Sequence, residues 1–281
     1  MTFGTITLHL DGGPTAATST DVAAGLARSH GSHLVGLAAT GNALFETSLG
    51  AGLLPRAELN AALAGARRRA ESLANAFGEQ AARQHLRSHE AAIDDRDAAA
   101  ALARHSLFAD LVVLPRPAAD APVLNWTQRD FDQALLDLAS PAIVLPDSSR
   151  AGTVGRHVAI AWKPERPCAR ALAAALPLLT AADQVTLLHV DSPFDDVLHA
   201  PARDDVERMG ARLQRDGVTA SARFIQSSDD AGDILLEEIR RIGADLVVMG
   251  AWGRPRWSER AFGGCTRTLL SGLEVACFTT H

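Results

Sequence analysis

Cysteine is scarce in this 281-residue chain, and the three present, Cys168, Cys265 and Cys277, are odd in number, far apart and without a CxxC pair. That pattern speaks against a disulfide framework and a cysteine zinc site and is expected of reduced thiols. Long apolar runs are also missing, and the segment Met1–Leu10 lacks a cationic start and reads directly as a strand. The expectation is a cytoplasmic protein with no membrane partner. Positive charge is not concentrated: the net charge is -6 and no basic stripe carries interleaved aromatics, so nothing favours nucleic acid. Tyrosine is absent altogether, for which we have no physical account.

What is present is apolar and periodic. Hydrophobic residues make up 47% of the chain, ample for packed cores in one large domain or two of ordinary size. Ile6–Leu10 reads as a short strand ending at Asp11-Gly12-Gly13-Pro14, with Ser19 or Thr20 available to cap a following helix that carries Val22 and Leu26. His33–Ala38 is a second strand, and Gly41–Pro55 an insertion without strict period, a lid or a packed loop. Residues 57–77 place Leu59, Leu63, Ala66, Ala70, Leu73 and Phe77 at helical spacing, with Arg67, Arg68 and Arg69 expected on a solvated face. Strands near Leu86–Ala92, Ala109–Leu114 and Pro141–Pro146, with helices at Arg96–Ser106 and Asp130–Leu138, complete the first half.

After the polar, glycine-bearing stretch Asp147–Gly155 the order begins again. Strands are expected at His157–Trp162, Val185–Val190, Thr219–Ile225, Asp245–Met249 and Val275–Thr279, with helices at Arg166–Leu179, Asp204–Asp216 and Ala231–Ile242 between them. Laid on each other, the halves place Asp11 opposite Lys163, and Ala109-Asp-Leu-Val-Val matches Ala244-Asp-Leu-Val-Val letter for letter. A repeat of about 140 residues is far longer than a solenoid unit, so each copy is read as a domain, 1–148 and 154–281. Apolar strands alternating with helices imply two flavodoxin-like (Rossmann-type) α/β domains. Each would be a five-stranded parallel sheet of order 3-2-1-4-5 with helices on both faces and a ligand crevice between strands one and four.

One segment carries binding chemistry. Gly250-Ala-Trp-Gly253 follows Leu246-Val-Val-Met249, and Gly263-Gly264-Cys265-Thr266-Arg267 follows nine residues later. Glycine lets backbone amides approach an anion, and a helix start adds unpaired N–H groups and partial positive charge. The same glycines are equally those of an ordinary strand-end turn and helix start.

The glycine spacing, the phrase Ala244-Asp-Leu-Val-Val-Met-Gly250, the five-strand repeat and the tail through Phe278 resemble the universal stress protein family in its tandem form. The resemblance implies an adenine nucleotide such as ATP, with or without magnesium, held in the C-terminal domain by Gly250, Gly253, Gly263 and Gly264. Trp162, Lys163, His189, Val190, Met249, Arg254, Cys265 and Thr266 would border it. It also implies an internal pseudo-dimer, with a further homodimer and an unidentified protein as partners. Two departures stand out: Lys163 occupies a place where nucleotide-binding members usually carry an acid, and Gly264 one where they carry a hydroxyl. The first half departs further, with Pro115 and Ala118 opposite Gly250 and Gly253 and Arg129 opposite Gly263, so it reads as a degenerate partner.

Other constellations are thinner. His189, Asp191, Asp195, Asp196 and His199 are the densest set of candidate metal ligands, although loop carboxylates are more often solvated. His85 and His89 read as core or surface residues. Ser258 and Thr266 lie in no nucleophile elbow, and Trp252, Arg254, Arg256 and Trp257 suit a ligand cover or a partner surface alike. Cys265 is expected to have a lowered pKa if it opens a helix. No catalytic base is identifiable, so the reading is a regulatory nucleotide-binding stress protein with at most slow ATP hydrolysis. The alternatives are an interaction module without nucleotide, or a metal or small-ligand enzyme built on Asp191–His199.

Overall fold

The computed structural model describes residues 2–41, 55–117, 126–148, 154–191, 202–251 and 264–280. The chain divides into two compact units, Thr2–Gly152 and Thr153–His281. Among the described residues no helix is long and apolar enough to cross a membrane.

In the N-terminal unit the elements run β1 (Thr5–His9), α1 (Ala16–His30), β2 (His33–Ala39), α2 (Arg56–Arg83), β3 (Ser88–Asp94), α3 (Ala98–Ser106), β4 (Leu111–Pro115), α4 (Gln128–Asp137) and β5 (Ala142–Leu145). The strands lie parallel in the order β3-β2-β1-β4-β5. In the C-terminal unit β6 (His157–Ala161), α5 (Arg166–Leu179), β7 (Gln184–Asp191), α6 (Ala202–Arg215), β8 (Ala220–Gln226), α7 (Ala231–Ile242), β9 (Leu246–Gly250), α8 (Gly264–Gly272) and β10 (Ala276–Thr280) repeat that plan. Their order is β8-β7-β6-β9-β10, again parallel. Each unit is therefore a flavodoxin-like α/β fold of order 3-2-1-4-5, as the strand and helix alternation implies.

The central strands β1, β4, β6 and β9 are almost wholly buried. This is why they read as continuous apolar runs rather than alternating ones. Helix α2 lays Leu59, Ala66, Ala70, Ala74, Phe77 and Ala81 on the sheet. The Phe77 ring lies on β2 where Gly36 has no side chain; a Cβ there would come within 2.6 Å of it. The helix runs six residues past the expected end at Phe77, because Ala81 continues the buried stripe. It stops at Gln84 and His85, the latter in the left-handed region at φ 52°. The third strand consequently starts at Ser88 rather than Leu86. Helix α1 starts before Ser19 and Thr20, so neither is its cap; both are buried inside it, and the Thr20 hydroxyl donates to the Ala16 carbonyl at 3.0 Å. Helix α4, by contrast, opens on a full capping box between Thr127 and Asp130.

The letter-for-letter repeat has a structural cause. Asp110 accepts hydrogen bonds from the amides of Gly4 and Thr5 at 2.8 and 2.9 Å, while its own amide donates to the Thr5 carbonyl at 2.9 Å. Asp245 does the same in the second unit, accepting from Gly155, Arg156 and His157 and donating to the His157 carbonyl. In both units this aspartate precedes the fourth strand and ties it to the start of the first. Asp245→Ala should lower the stability of the chain by about 1–3 kcal/mol, the cost of leaving such amides without their acceptor. A urea midpoint equal to that of the parent protein would show that the clamp contributes nothing.

One core residue is polar and unmatched. His9 ends β1, is 3% exposed, and neither ring nitrogen has a hydrogen-bond partner. Burial pushes its pKa down from 6.5 to about 3, against the opposing Leu37 backbone and then the Asp130 carboxylate. Because the unfolded chain takes up this proton more readily, stability is complete above the unfolded value and falls as pH drops from 6.5 toward 3. The slope per group is about 1.4 kcal/mol per pH unit. Denaturation profiles between about pH 7 and about pH 4 should therefore be shallower for His9→Gln than for the parent chain. Parallel profiles would overturn the assignment.

Candidate functional site

The C-terminal unit gathers its binding chemistry at the carboxyl ends of β6 and β9. After β6, Trp162 stays buried and donates its amide to the Leu188 carbonyl at 2.8 Å, while Lys163 turns outward. A tight turn, with the Glu165 amide on the Lys163 carbonyl at 2.7 Å, leads into α5. The Lys163 ammonium meets the Glu165 carboxylate at 3.3 Å, both side chains being about half exposed. Glu165 precedes α5 without capping it, and proline lies in the first turn, so the helix start keeps amides uncapped by that side chain.

Gly250, at the end of β9, is where that helix start comes to rest. A Cβ on Gly250 would lie 2.3 Å from the Cys168 amide nitrogen and 2.4 Å from the Pro167 carbonyl carbon. The missing side chain is thus needed by the protein's own backbone. Met249 is buried beside it, and the Ala251 amide continues the ladder to the Thr280 carbonyl at 3.1 Å.

Helix α8 begins at Gly264, which is exposed, with Cys265 and Thr266 half-buried in its first turn. Cys265 senses the charges of Asp230, Cys168 and Lys163, so this turn converges on the start of α5 and the Asp230 cap of α7. The expected lowering of the Cys265 pKa is not found. Burial first, then Asp230 and Cys168, push it up to about 11 against the opposing Lys163. Burial likewise raises Cys168, opposed by the backbone of Lys163 and Gly250, and lifts Cys277 to about 12. Desolvation outweighs the helix-start effect, and these thiols are protonated at neutral pH.

His189 lies near the end of β7, 5% exposed, with Nδ1 bonded to the Trp162 carbonyl at 3.0 Å and its ring edge-on to Phe224 at 5.4 Å. Since a carbonyl can only accept, Nδ1 carries the proton, and Nε2 is left buried without a partner. The indole Nε1 of Trp162 is also buried and unpaired. Val190 and Asp191 follow, half-buried, at the strand end.

Gly253, Arg254 and Gly263 lie outside the described residues, as do Trp252, Arg256, Trp257 and Ser258 and the candidate ligands Asp195, Asp196 and His199. Among the described residues no three His, Cys, Asp or Glu side chains converge as metal ligands. Of the expected site residues, Trp162 and His189 share a hydrogen bond, and Lys163, Gly250 and Cys265 meet around the start of α5. The contribution of Pro167 and Cys168 was not foreseen. Its signal is a proline in the first turn of a helix together with a glycine ending the neighbouring strand.

Residues 156–278 match the model of the Universal stress protein family. A solved universal stress protein from Archaeoglobus fulgidus DSM 4304 is similar over 98% of this chain and 95% of its own, with a TM-score of 0.74 and 14% identity. A functionally unknown protein from Pseudomonas aeruginosa PAO1 is similar over 99% of this chain and 92% of its own, with a TM-score of 0.62 and 15% identity. At such identities the likeness is one of fold. No curated protein sequence matches the chain significantly.

Gly250→Ala should destabilise the protein by about 3 kcal/mol, since neither the strand end nor the helix backbone can give way cheaply. Thermal unfolding of the variant indistinguishable from the parent would rule out the close approach of α5 to β9.

Proposed function

We propose that the C-terminal unit, whose residues 156–278 match the model of the Universal stress protein family, binds an adenine nucleotide and that the chain is a regulatory binding protein. The observation that carries this reading is the meeting of two helix starts, α5 and α8, with Lys163 at the carboxyl ends of β6 and β9. Unpaired amides at helix starts and a lysine form an electropositive rim suited to phosphate. The Lys163–Glu165 pair is exposed and worth under about 1 kcal/mol, so exchanging that carboxylate for a phosphate costs little.

The buried, unpaired Nε2 of His189 and Nε1 of Trp162 supply one acceptor and one donor beside that rim. They suit the edge of a base, with Val190 and Met249 as apolar neighbours. Gly253, Arg254, Gly263, Gly264 and Thr266 complete the phosphate cradle in this reading, and bound magnesium would supply further charge neutralisation there. Lys163 alters the recognition: the carboxylate that would take up a ribose or base contact is replaced by a phosphate-seeking charge. No side chain of the described site is placed as a general base, and the protonated thiols offer no nucleophile, so turnover beyond slow hydrolysis is not part of the proposal.

Gly250 serves helix packing, which keeps a second reading alive: an interaction module whose glycines only shape turns. Calorimetry on nucleotide-stripped protein separates the two. Saturable binding of ATP, ADP or AMP is expected at or below millimolar concentration, weakened severalfold for ATP but little for adenosine by Lys163→Gln. Gly253→Val and Gly263→Val should abolish it in folded protein. Absence of binding by all three nucleotides in the parent chain, or loss of stability alone in both valine variants, would favour the interaction module.

A further inference from the structure

The N-terminal unit fills its own crevice. Sheets of this order take ligands beyond the carboxyl ends of the first and fourth strands, where the strand order reverses, and in this unit those are β1 and β4. Trp126 stands there. Its side chain is 2% exposed, its indole N–H donates to the Pro115 carbonyl at the end of β4 at 2.8 Å, and its ring lies 4.2 Å from that of His9 at the end of β1. The cleft left between His9, Asp11, Arg69 and Trp126 has room for about one water molecule.

The helix after the fourth strand holds the indole where it is. Trp126 immediately precedes Thr127, the N-cap of α4, and meets Phe131, the fourth residue of that helix, edge-on at 5.9 Å. This is the contact of a hydrophobic staple, which fixes the angle at which the chain enters a helix, so the indole is set by the backbone. The start of α4 is met as well. The Thr127 hydroxyl accepts the Asp130 amide at 3.3 Å, and the Asp130 carboxylate accepts the Thr127 amide and hydroxyl at 2.9 and 2.7 Å. A carboxylate at a helix start takes the place, and answers the dipole, that a phosphate would otherwise use. In the C-terminal unit the corresponding helix α8 opens on Gly264, which has no side chain to offer, and the fourth strand ends in Gly250 where β4 ends in Pro115.

We propose that Trp126 and Asp130 are built-in occupants of the N-terminal crevice, an aromatic heterocycle at the strand ends and an anion at the helix start, so that this unit takes no nucleotide and the chain binds at most one. The count of one rests on the nucleotide reading of the C-terminal unit; the closure of the N-terminal crevice does not.

Native mass spectrometry and NMR of the full chain test it. With ATP at millimolar concentration no more than one nucleotide per chain is expected. The indole N–H signal of Trp126, assigned by its loss in Trp126→Phe, should keep its shift and its slow exchange with solvent. In Trp126→Ala the vacated space should accept free indole. The thermal midpoint, lowered by several degrees in that variant, should rise saturably with indole and less with indene, which has the same outline without the N–H that Pro115 accepts. The parent chain should show no such rise. Should Trp126→Ala not fold by itself, refolding in the presence of indole is expected to recover it, and the two measurements on the parent chain stand independently. A parent chain that binds no nucleotide overturns the reading of the C-terminal unit alone, since the indole measurements need none. The proposal is overturned by two nucleotides per chain, by a Trp126 N–H signal that shifts or loses protection on adding ATP, or by a folded Trp126→Ala chain that indole does not stabilise.

Discussion

The start of helix α5 rests on the end of strand β9, and it can do so only because residue 250 has no side chain. Everything described at the carboxyl edge of the C-terminal unit depends on that approach. It places the Cys168 and Pro167 backbone against Gly250, fixes where the Lys163–Glu165 turn must run, and brings Cys265 within electrostatic reach of Cys168 and Lys163. A glycine after a buried strand reads in sequence as an opening for phosphate, yet at this position the space is filled by backbone. In the reading proposed above an anion meets the helix starts that the glycine admits, and the glycine's own contribution is indirect.

The two units show what a duplicated frame keeps and what it releases. The aspartate before the fourth strand is retained in both, because its oxygens satisfy backbone amides at the entry to the first strand and no other side chain does this with the same reach. At the opposite end of that first strand the chemistry diverges. Asp11 in one unit corresponds to Lys163 in the other, and the first crevice is partly closed by Trp126. Strand geometry is common property and the residues just beyond it are free to differ, which is the usual division of labour between scaffold and loop.

Strand order, parallel pairing and the duplication were legible in the sequence because buried central strands leave unmistakable apolar runs and the aspartate clamp repeats its letters. Helix ends were less so. Helix α2 runs past the last spaced apolar residue read in sequence, Phe77, because Ala81 continues the buried stripe and the helix ends at Arg83. Ser19 and Thr20 looked like caps, but the helix had already begun and the Thr20 hydroxyl bonds back to its own backbone. Of the candidate site, the sequence showed where its glycines fall but not the Cys265 environment, which reverses the expected sign because burial there exceeds any helix-start effect. The cleft at Arg69 could not be read, since three adjacent arginines look alike until the helix face that each occupies is fixed.

The distribution of unpaired polar atoms ties the two crevices together. Among the described residues, buried side-chain atoms without a hydrogen bond include those of His9 at the end of β1, Trp162 just beyond β6, His189 near the end of β7 and Thr279 near the end of β10. All lie toward the carboxyl edge of their sheets, whereas the central strands place apolar side chains in the core. Each such atom costs about 1–3 kcal/mol if nothing meets it. A fold under selection for stability alone would exchange them for apolar groups of similar shape. The hydroxyls of Ser19 in α1 and Ser140 before β5 are unpaired as well, so only the atoms of His189 and Trp162 enter the nucleotide reading proposed above.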